Sequence, residues 1–262
     1  MRRFWLAISH IAPLPFDFLV KTGCLKRPAH AYCMWNAAKL AKGLGYNEIS
    51  VAEFGVAGGV TLLIIERYAI DIEKQLGVRI KVYGFDTGVG MPQTEGAEDL
   101  PYWFRPAQYA MDVDGLKGRL TSAELVLGNV RDTVTEFFVN GDRPPLAAIF
   151  NDLDYFSSSC DALRILDTPC ANFLPRLFLY LDDVVGSANE MYGPTNGELA
   201  ANDWFNRTHD RIKIHLNQNL LPESHHYWRY QIFYAHLFDH KRYSDYIGGT
   251  DQLGIEDALR LQ

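Results

Sequence analysis

Apolar positions in this chain recur with two periods, near 2 and near 3.6 residues, and the change from one to the other marks out its elements. The clearest case is an apolar run, Ile49-Ser50-Val51-Ala52-Glu53-Phe54, followed by the glycine cluster Gly55-Val56-Ala57-Gly58-Gly59 and a helical pattern over residues 62–76. This predicts a strand, a tight turn and a helix whose N-terminus faces a ligand. Upstream, residues 29–44 place Ala31, Met34, Trp35, Ala38 and Ala41 mostly on one side of a helix that Gly43 and Gly45 end.

Downstream, the pattern predicts strands over 78–86, 124–127, 146–150, 177–181, 211–216 and 230–237. Helices are expected over 132–138, 160–166 and 198–207, the second of them capped by Ser157 to Ser159. Strands alternating with helices give an α/β fold, doubly wound, with a mostly parallel sheet covered on both faces. In such sheets ligands sit at the carboxyl ends of the strands. Those ends carry Glu53 and Gly55, Asp86, Asp152 and Asp154, and Asp182 and Asp183. Residues 1–48 read as an N-terminal helical extension or lid, and residues 49–262 as one ligand-binding domain. The connection over 87–120, rich in glycine, proline and aromatics, is long enough to be a lid or binding loop.

Composition narrows the ligand. The 262 residues carry a formal charge of -7, and basic runs stop at pairs such as Lys26-Arg27. A footprint for nucleic acid or for a membrane surface is missing, which favours a small-molecule partner. Cys24, Cys33, Cys160 and Cys170 form no CxxC pair and read as reduced thiols of a cytoplasmic protein. The start, Met1-Arg2-Arg3-Phe4-Trp5-Leu6-Ala7-Ile8, has the basic-then-apolar order of a signal peptide, but His10, Pro13, Pro15 and Asp17 interrupt it. No window reaches the roughly 18 apolar residues of a membrane span.

Three groups of residues carry chemistry. Gly55, Gly58 and Gly59 allow close backbone approach, although Ala57 and Val60 stand where a dinucleotide fingerprint has glycines. Asp86, ending the next strand, suits ribose hydroxyls and equally a turn cap. Asp152, Asp154, Asp182 and Asp183 end neighbouring strands, so like charges gather there and call for protons or a hard divalent cation such as Mg2+. Solvated loop acids are the plainer reading of that cluster. His215, His225 and His226 suit a solvated loop better than a metal site, and Trp228, Tyr230, Phe233 and Tyr234 suit the core.

Taken together, these residues resemble a class I S-adenosylmethionine-dependent methyltransferase, and more narrowly the macrocin O-methyltransferase family. The resemblance rests on Val51-Ala52-Glu53-Phe54-Gly55-Val56-Ala57-Gly58-Gly59, Tyr83-Gly84-Phe85-Asp86-Thr87, Asn129-Val130-Arg131-Asp132-Thr133, Asp152-Leu153-Asp154 and Leu181-Asp182-Asp183. It implies a seven-stranded, Rossmann-like sheet. It also implies that Glu53, Gly55, Ala57 and Gly58 form the cofactor turn, that Thr61 meets the methionyl carboxylate, Asp86 the ribose, and Gly128 and Asn129 the adenine. Asp152, Asp182 and Asp183 match that family's metal ligands. Two positions depart from related enzymes: Tyr155 stands where the catechol enzyme has a lysine base, and Val184-Val185-Gly186 follows the acid pair where an aromatic is usual.

The expected function is a metal-dependent O-methyltransferase acting on a hydroxyl of a sugar or natural product, with Asp154, or else Asp152, accepting the proton. A homodimer is compatible with the composition. Two other readings stay open: a metal-dependent glycosyltransferase using Asp152-Leu153-Asp154 as its DxD, and a non-catalytic cofactor-binding protein.

Overall fold

The computed structural model describes residues 14–139, 142–223 and 226–248. The signal-like run at the start of the chain, and His225, lie outside them. Two helices come first, α1 (Phe16–Thr22) and α2 (Pro28–Gly43). Then come β1 (Glu48–Phe54), α3 (Val60–Leu76), β2 (Arg79–Asp86), the short α4 (Val113–Lys117) and β3 (Glu124–Leu127). They are followed by α5 (Val130–Glu136), β4 (Leu146–Asn151), α6 (Phe156–Leu163) and β5 (Phe173–Leu181). The described chain closes with α7 (Gly197–Thr208), β6 (Ile212–Leu216) and β7 (Ile232–Leu237).

The seven strands form one sheet in the order β3-β2-β1-β4-β5-β7-β6. Every pairing from β3 to β5 is parallel, whereas β7 runs antiparallel to both β5 and β6. The central strands are buried on both faces, which is why β1 and β4 read as near-continuous apolar runs without alternation. The order reverses between β1 and β4, so a crevice opens at their carboxyl ends. Phe16, Ala31 and Met34 from α1 and α2 share the main core with Ile49, Val51 and Leu179 of the sheet. A second, small cluster of Leu100, Phe104 and Tyr155, with Met91 and Tyr192 packed on it, lies under the 87–112 connection.

Three of the element boundaries that differ from expectation have a local cause. Helix α6 starts at Phe156, and its serines lie inside it. Ser157 is turned toward Asp99, and the Ser159 hydroxyl accepts from Asn151 Nδ2. Helix α5 starts at Val130 because the Asn129 side chain accepts the Arg131 N–H as its cap. Strand β5 starts at Phe173, pairing with Leu146 before a register shift leads into the expected 177–181 stretch.

The four cysteines form no disulfide among the described residues, and Cys24 and Cys33 are buried. Among the described residues no helix is long and apolar enough to cross a membrane.

Candidate active site

Between the end of β1 and the start of α3 the chain has five residues in which to turn out of the sheet. Gly55, Ala57 and Gly59 all adopt positive φ there (86°, 47° and 75°). At Gly55 a Cβ would stand 1.8 Å from the Asp152 carbonyl oxygen, so β4 leaves no room for a side chain. Asp86, the last residue of β2, holds the turn in place. Its Oδ2 accepts the Val56 and Ala57 N–H groups at 2.9 Å each, and its Oδ1 accepts the Gly88 N–H at 2.7 Å. A carboxylate has about four acceptor positions, so Oδ1 retains one toward the cavity. Gly59, at the N-cap of α3, supplies no side chain to the first turn, and Val60 and Thr61 of that turn line the cavity.

The cavity measures about 470 Å³. One wall is the glycine turn with Asp86, Gly128 and Asn129, and the opposite wall is Asp152, Asp154, Asp182 and Asp183. The 87–112 connection forms part of its rim, contributing Met91, Trp103, Phe104 and Tyr109. This connection is tied to itself by Met91, whose N–H donates to Gln108 O and whose carbonyl accepts the Ala107 N–H. All the residues expected at the site from sequence therefore border one space. Glu53 does so from beneath: it is 2% exposed, and its Oε2 has no hydrogen-bond partner.

The acids are held by specific donors. Asp183 accepts the Asp154 N–H on Oδ2 (3.1 Å) and the Tyr192 hydroxyl on Oδ1 (2.8 Å). Asp182 Oδ1 accepts the Tyr180 hydroxyl and Gln231 Nε2. Burial raises all of the following carboxyls, and neighbouring acids add to it. Asp183 is pushed up to about 7, with Asp182 the next cause, and Asp154 to about 10, with Asp183 the next cause. Asp152 rises well above the carboxylate range, as does Glu53, which responds first to burial and then to Asp152. Without a counter-charge, Asp152 and Asp154 hold their protons at neutral pH.

A ready cation site, expected from Asp152, Asp182 and Asp183, is not found in this arrangement. Among the described residues no group of three His, Cys, Asp or Glu side chains is placed to hold a metal ion. The physical reason lies in the donors just named, which turn both Asp183 oxygens and one Asp182 oxygen toward protein groups. An organic cation with backbone-recognised edges fits better. The cradle at Gly55, the uncapped first turn of α3 and the orphaned Glu53 oxygen are all positions that such a ligand would satisfy.

Two residues that shape the site carry no signal in the sequence pattern. Glu198, 1% exposed on α7, accepts Asn151 Nδ2 and the Leu153 N–H on Oε1 and the Asp183 N–H on Oε2, fastening both acid-bearing loops. Tyr192 supplies an aromatic hydroxyl to Asp183 from nine residues downstream, beyond the Val184-Val185-Gly186 stretch. Tyr155 is fully buried against Phe104 instead of lining the cavity. A glutamate following Gly197 at a helix start looks like an ordinary first-turn acid, and only the packing of α7 shows otherwise.

No family model and no curated protein matches the chain. Solved structures do. The calicheamicin methyltransferase CalS11 is similar at 20% identity over 91% of this chain and 92% of that one, with a TM-score of 0.52. The O-methyltransferase NovP is similar at 16% identity over 78% of this chain and 77% of that one, also with a TM-score of 0.52. At such identities the likeness speaks for architecture, and with the strand order and antiparallel β7 it shows that this chain has the fold of the class I S-adenosylmethionine-dependent methyltransferases.

Proposed function

We propose that this protein is an enzyme that transfers a methyl group from S-adenosylmethionine to a hydroxyl of a small molecule, a sugar or a natural product. One observation carries the reading: a single cavity at the carboxyl ends of β1, β2, β4 and β5 has a glycine turn on one wall and four carboxyls on the other. The similar fold of a calicheamicin methyltransferase and of an O-methyltransferase supports it.

In this reading Gly55, Ala57 and Gly58 back the cofactor, and Glu53 and Thr61 border its amino-acid end. Asp86 offers its remaining Oδ1 position to the ribose, and Gly128 and Asn129 flank the adenine. Bound S-adenosylmethionine supplies an activated methyl on a sulfonium. The residues beyond it hold the acceptor so that its hydroxyl oxygen lies in line with that methyl. Asp154, or else Asp152, would accept the proton that the hydroxyl gives up on methylation. A positive charge beside the acid wall favours their ionised forms, which is what a proton acceptor needs.

A divalent cation, Mg2+ above all, would share Asp183 with Tyr192 and the Asp154 amide, and Asp152, Asp182 and Asp183 would have to converge on it. The test treats the cation separately. The full chain is titrated calorimetrically with S-adenosylmethionine, and methyl transfer to a hydroxyl panel is measured with Mg2+ and with a chelator. Cofactor binding and turnover are expected. Absence of cofactor binding sinks the proposal, equal turnover in chelator removes the cation alone, and binding without turnover on any hydroxyl favours a non-catalytic cofactor-binding protein. The glycosyltransferase reading of Asp152-Leu153-Asp154 has no support from the sheet order. Preferential binding of a nucleotide sugar would restore it.

A further inference from the structure

Among the described residues lining the cavity are seven carboxylic side chains and one basic one, Arg27. Arg27 does not belong to the sheet-and-turn part of the site. It precedes α2, in the helical segment that comes before the first strand. Its guanidinium makes no ion pair or hydrogen bond among the described residues, even though the cavity around it is acidic.

Its backbone is held at a cost. Arg27 is left-handed (φ 47°, ψ 59°), a region that a side chain with a Cβ disfavours, and it precedes Pro28, which disfavours helical backbone as well. Two fixtures hold it there. The Tyr68 hydroxyl of α3 donates to the Lys26 carbonyl at 2.5 Å, and Pro28 starts α2 at its first position. A strained residue persists when its surroundings over-determine it, and such residues cluster at ligand sites.

The second observation is Glu53. Its Oε2 is buried without a partner, yet Glu53 borders the same cavity. A buried acceptor left unpaired costs free energy that a ligand donor would recover. The two charges influence each other: burial and Asp152 raise the Glu53 carboxyl, while Arg27 lowers it. An unpaired cation and an unpaired acid on one cavity complement a ligand that carries an ammonium and a carboxylate on one carbon.

We propose that Arg27 binds the carboxylate of the methionyl end of the cofactor while Glu53 accepts its ammonium, so that the N-terminal helical segment completes the cofactor site. This rests on the cofactor reading given above. It makes Arg27 a binding residue, and it gives the segment before the sheet a part in holding the cofactor.

The test compares S-adenosylhomocysteine with 5′-methylthioadenosine, which keeps the nucleoside and thioether and lacks the amino-acid end. Both are titrated calorimetrically into the wild-type chain, Arg27→Ala and Arg27→Lys. Loss of a charge-assisted contact predicts that Arg27→Ala binds S-adenosylhomocysteine roughly tenfold more weakly or worse, with Arg27→Lys between the two. Binding of 5′-methylthioadenosine is expected to stay the same in all three, which also shows that the variants are folded. The proposal is overturned if S-adenosylhomocysteine affinity is unchanged in Arg27→Ala, including the case in which only the KM for an anionic acceptor rises. It is equally overturned if both ligands weaken together, since that marks a structural role. A wild-type chain that binds neither ligand overturns the cofactor reading and this proposal with it.

Discussion

Asp99 caps α6 from a distance of 58 residues, its Oδ1 taking the Ser157 N–H and its Oδ2 the Ser157 hydroxyl, both at 2.8 Å. Oδ2 also accepts the Glu95 N–H at 2.7 Å, so one buried carboxylate joins the cavity-rim connection to the helix that follows the Asp152 loop. The residue at the N-cap itself, Tyr155, offers no side-chain bond. A carboxylate at a helix N-terminus gains from the dipole as well as from the hydrogen bonds. Asp99→Ala is therefore expected to cost about 1 to 2 kcal/mol of stability in denaturant unfolding. Because the rim is released along with the cap, the KM for the acceptor should rise more than the cofactor Kd. Equal changes in the two would contradict this arrangement.

Gly55 is the position that tolerates least. A methyl there meets the Asp152 carbonyl at 1.8 Å, and the φ of 86° disfavours any Cβ. Gly55→Ala should lower stability by about 3 kcal/mol, strain and overpacking combined. Gly58, where an added Cβ meets nothing within 4 Å, serves as the control. Gly58→Ala should leave the melting temperature nearly unchanged and weaken cofactor binding alone.

Asp86 fastens the glycine turn, and in the proposed reading it acts on the cofactor through that turn. Three N–H donors point at its carboxylate, and an asparagine can accept on only one atom while turning an NH2 toward a donor. Asp86→Asn is expected to weaken cofactor binding roughly tenfold or more, at about 1.5 kcal/mol for a hydrogen bond to a charged group. An unchanged Kd in titration would show that the turn holds without it.

The residues that made the fold legible are those whose role is local. Ile49, Val51, Ala52 and Phe54 are apolar because β1 is covered on both faces, and Gly77, left-handed at φ 71°, marks the end of α3 as glycine commonly does. Asp86, Asp152, Asp182 and Asp183 were legible as a site because strand ends converge in an α/β sheet. Residues that act across the fold left no such mark. Asp99 reads as one acid of the long connection and Glu198 as a first-turn acid of its own helix, yet one caps α6 and the other fastens Asn151 and Asp183. Their partners are set by tertiary packing, which periodicity does not encode. The same holds for Tyr192, and for the donors that keep the acid wall from forming a ready cation site.

Glu66 on α3 gives a pH-dependent prediction away from the cavity. Its Oε1 accepts the N–H groups of Thr121 (2.9 Å), Ser122 (2.5 Å) and Ala123 (2.7 Å), fixing the turn that leads into β3. Burial alone would raise its carboxyl, but these backbone donors outweigh it and hold the group below the ordinary value of 4.5. A carboxyl whose folded value is depressed stabilises the protein fully above its unfolded value, and that contribution fades as pH falls through the folded one. Glu66→Gln keeps the shape of the side chain and loses the charge, so it should cost about 1.5 to 3 kcal/mol at pH 7. The gap between wild type and variant in thermal unfolding should stay constant from pH 8 down to about 5 and close below about pH 4.5. A gap that widens on acidification would mean that the three donors stabilise something other than the carboxylate.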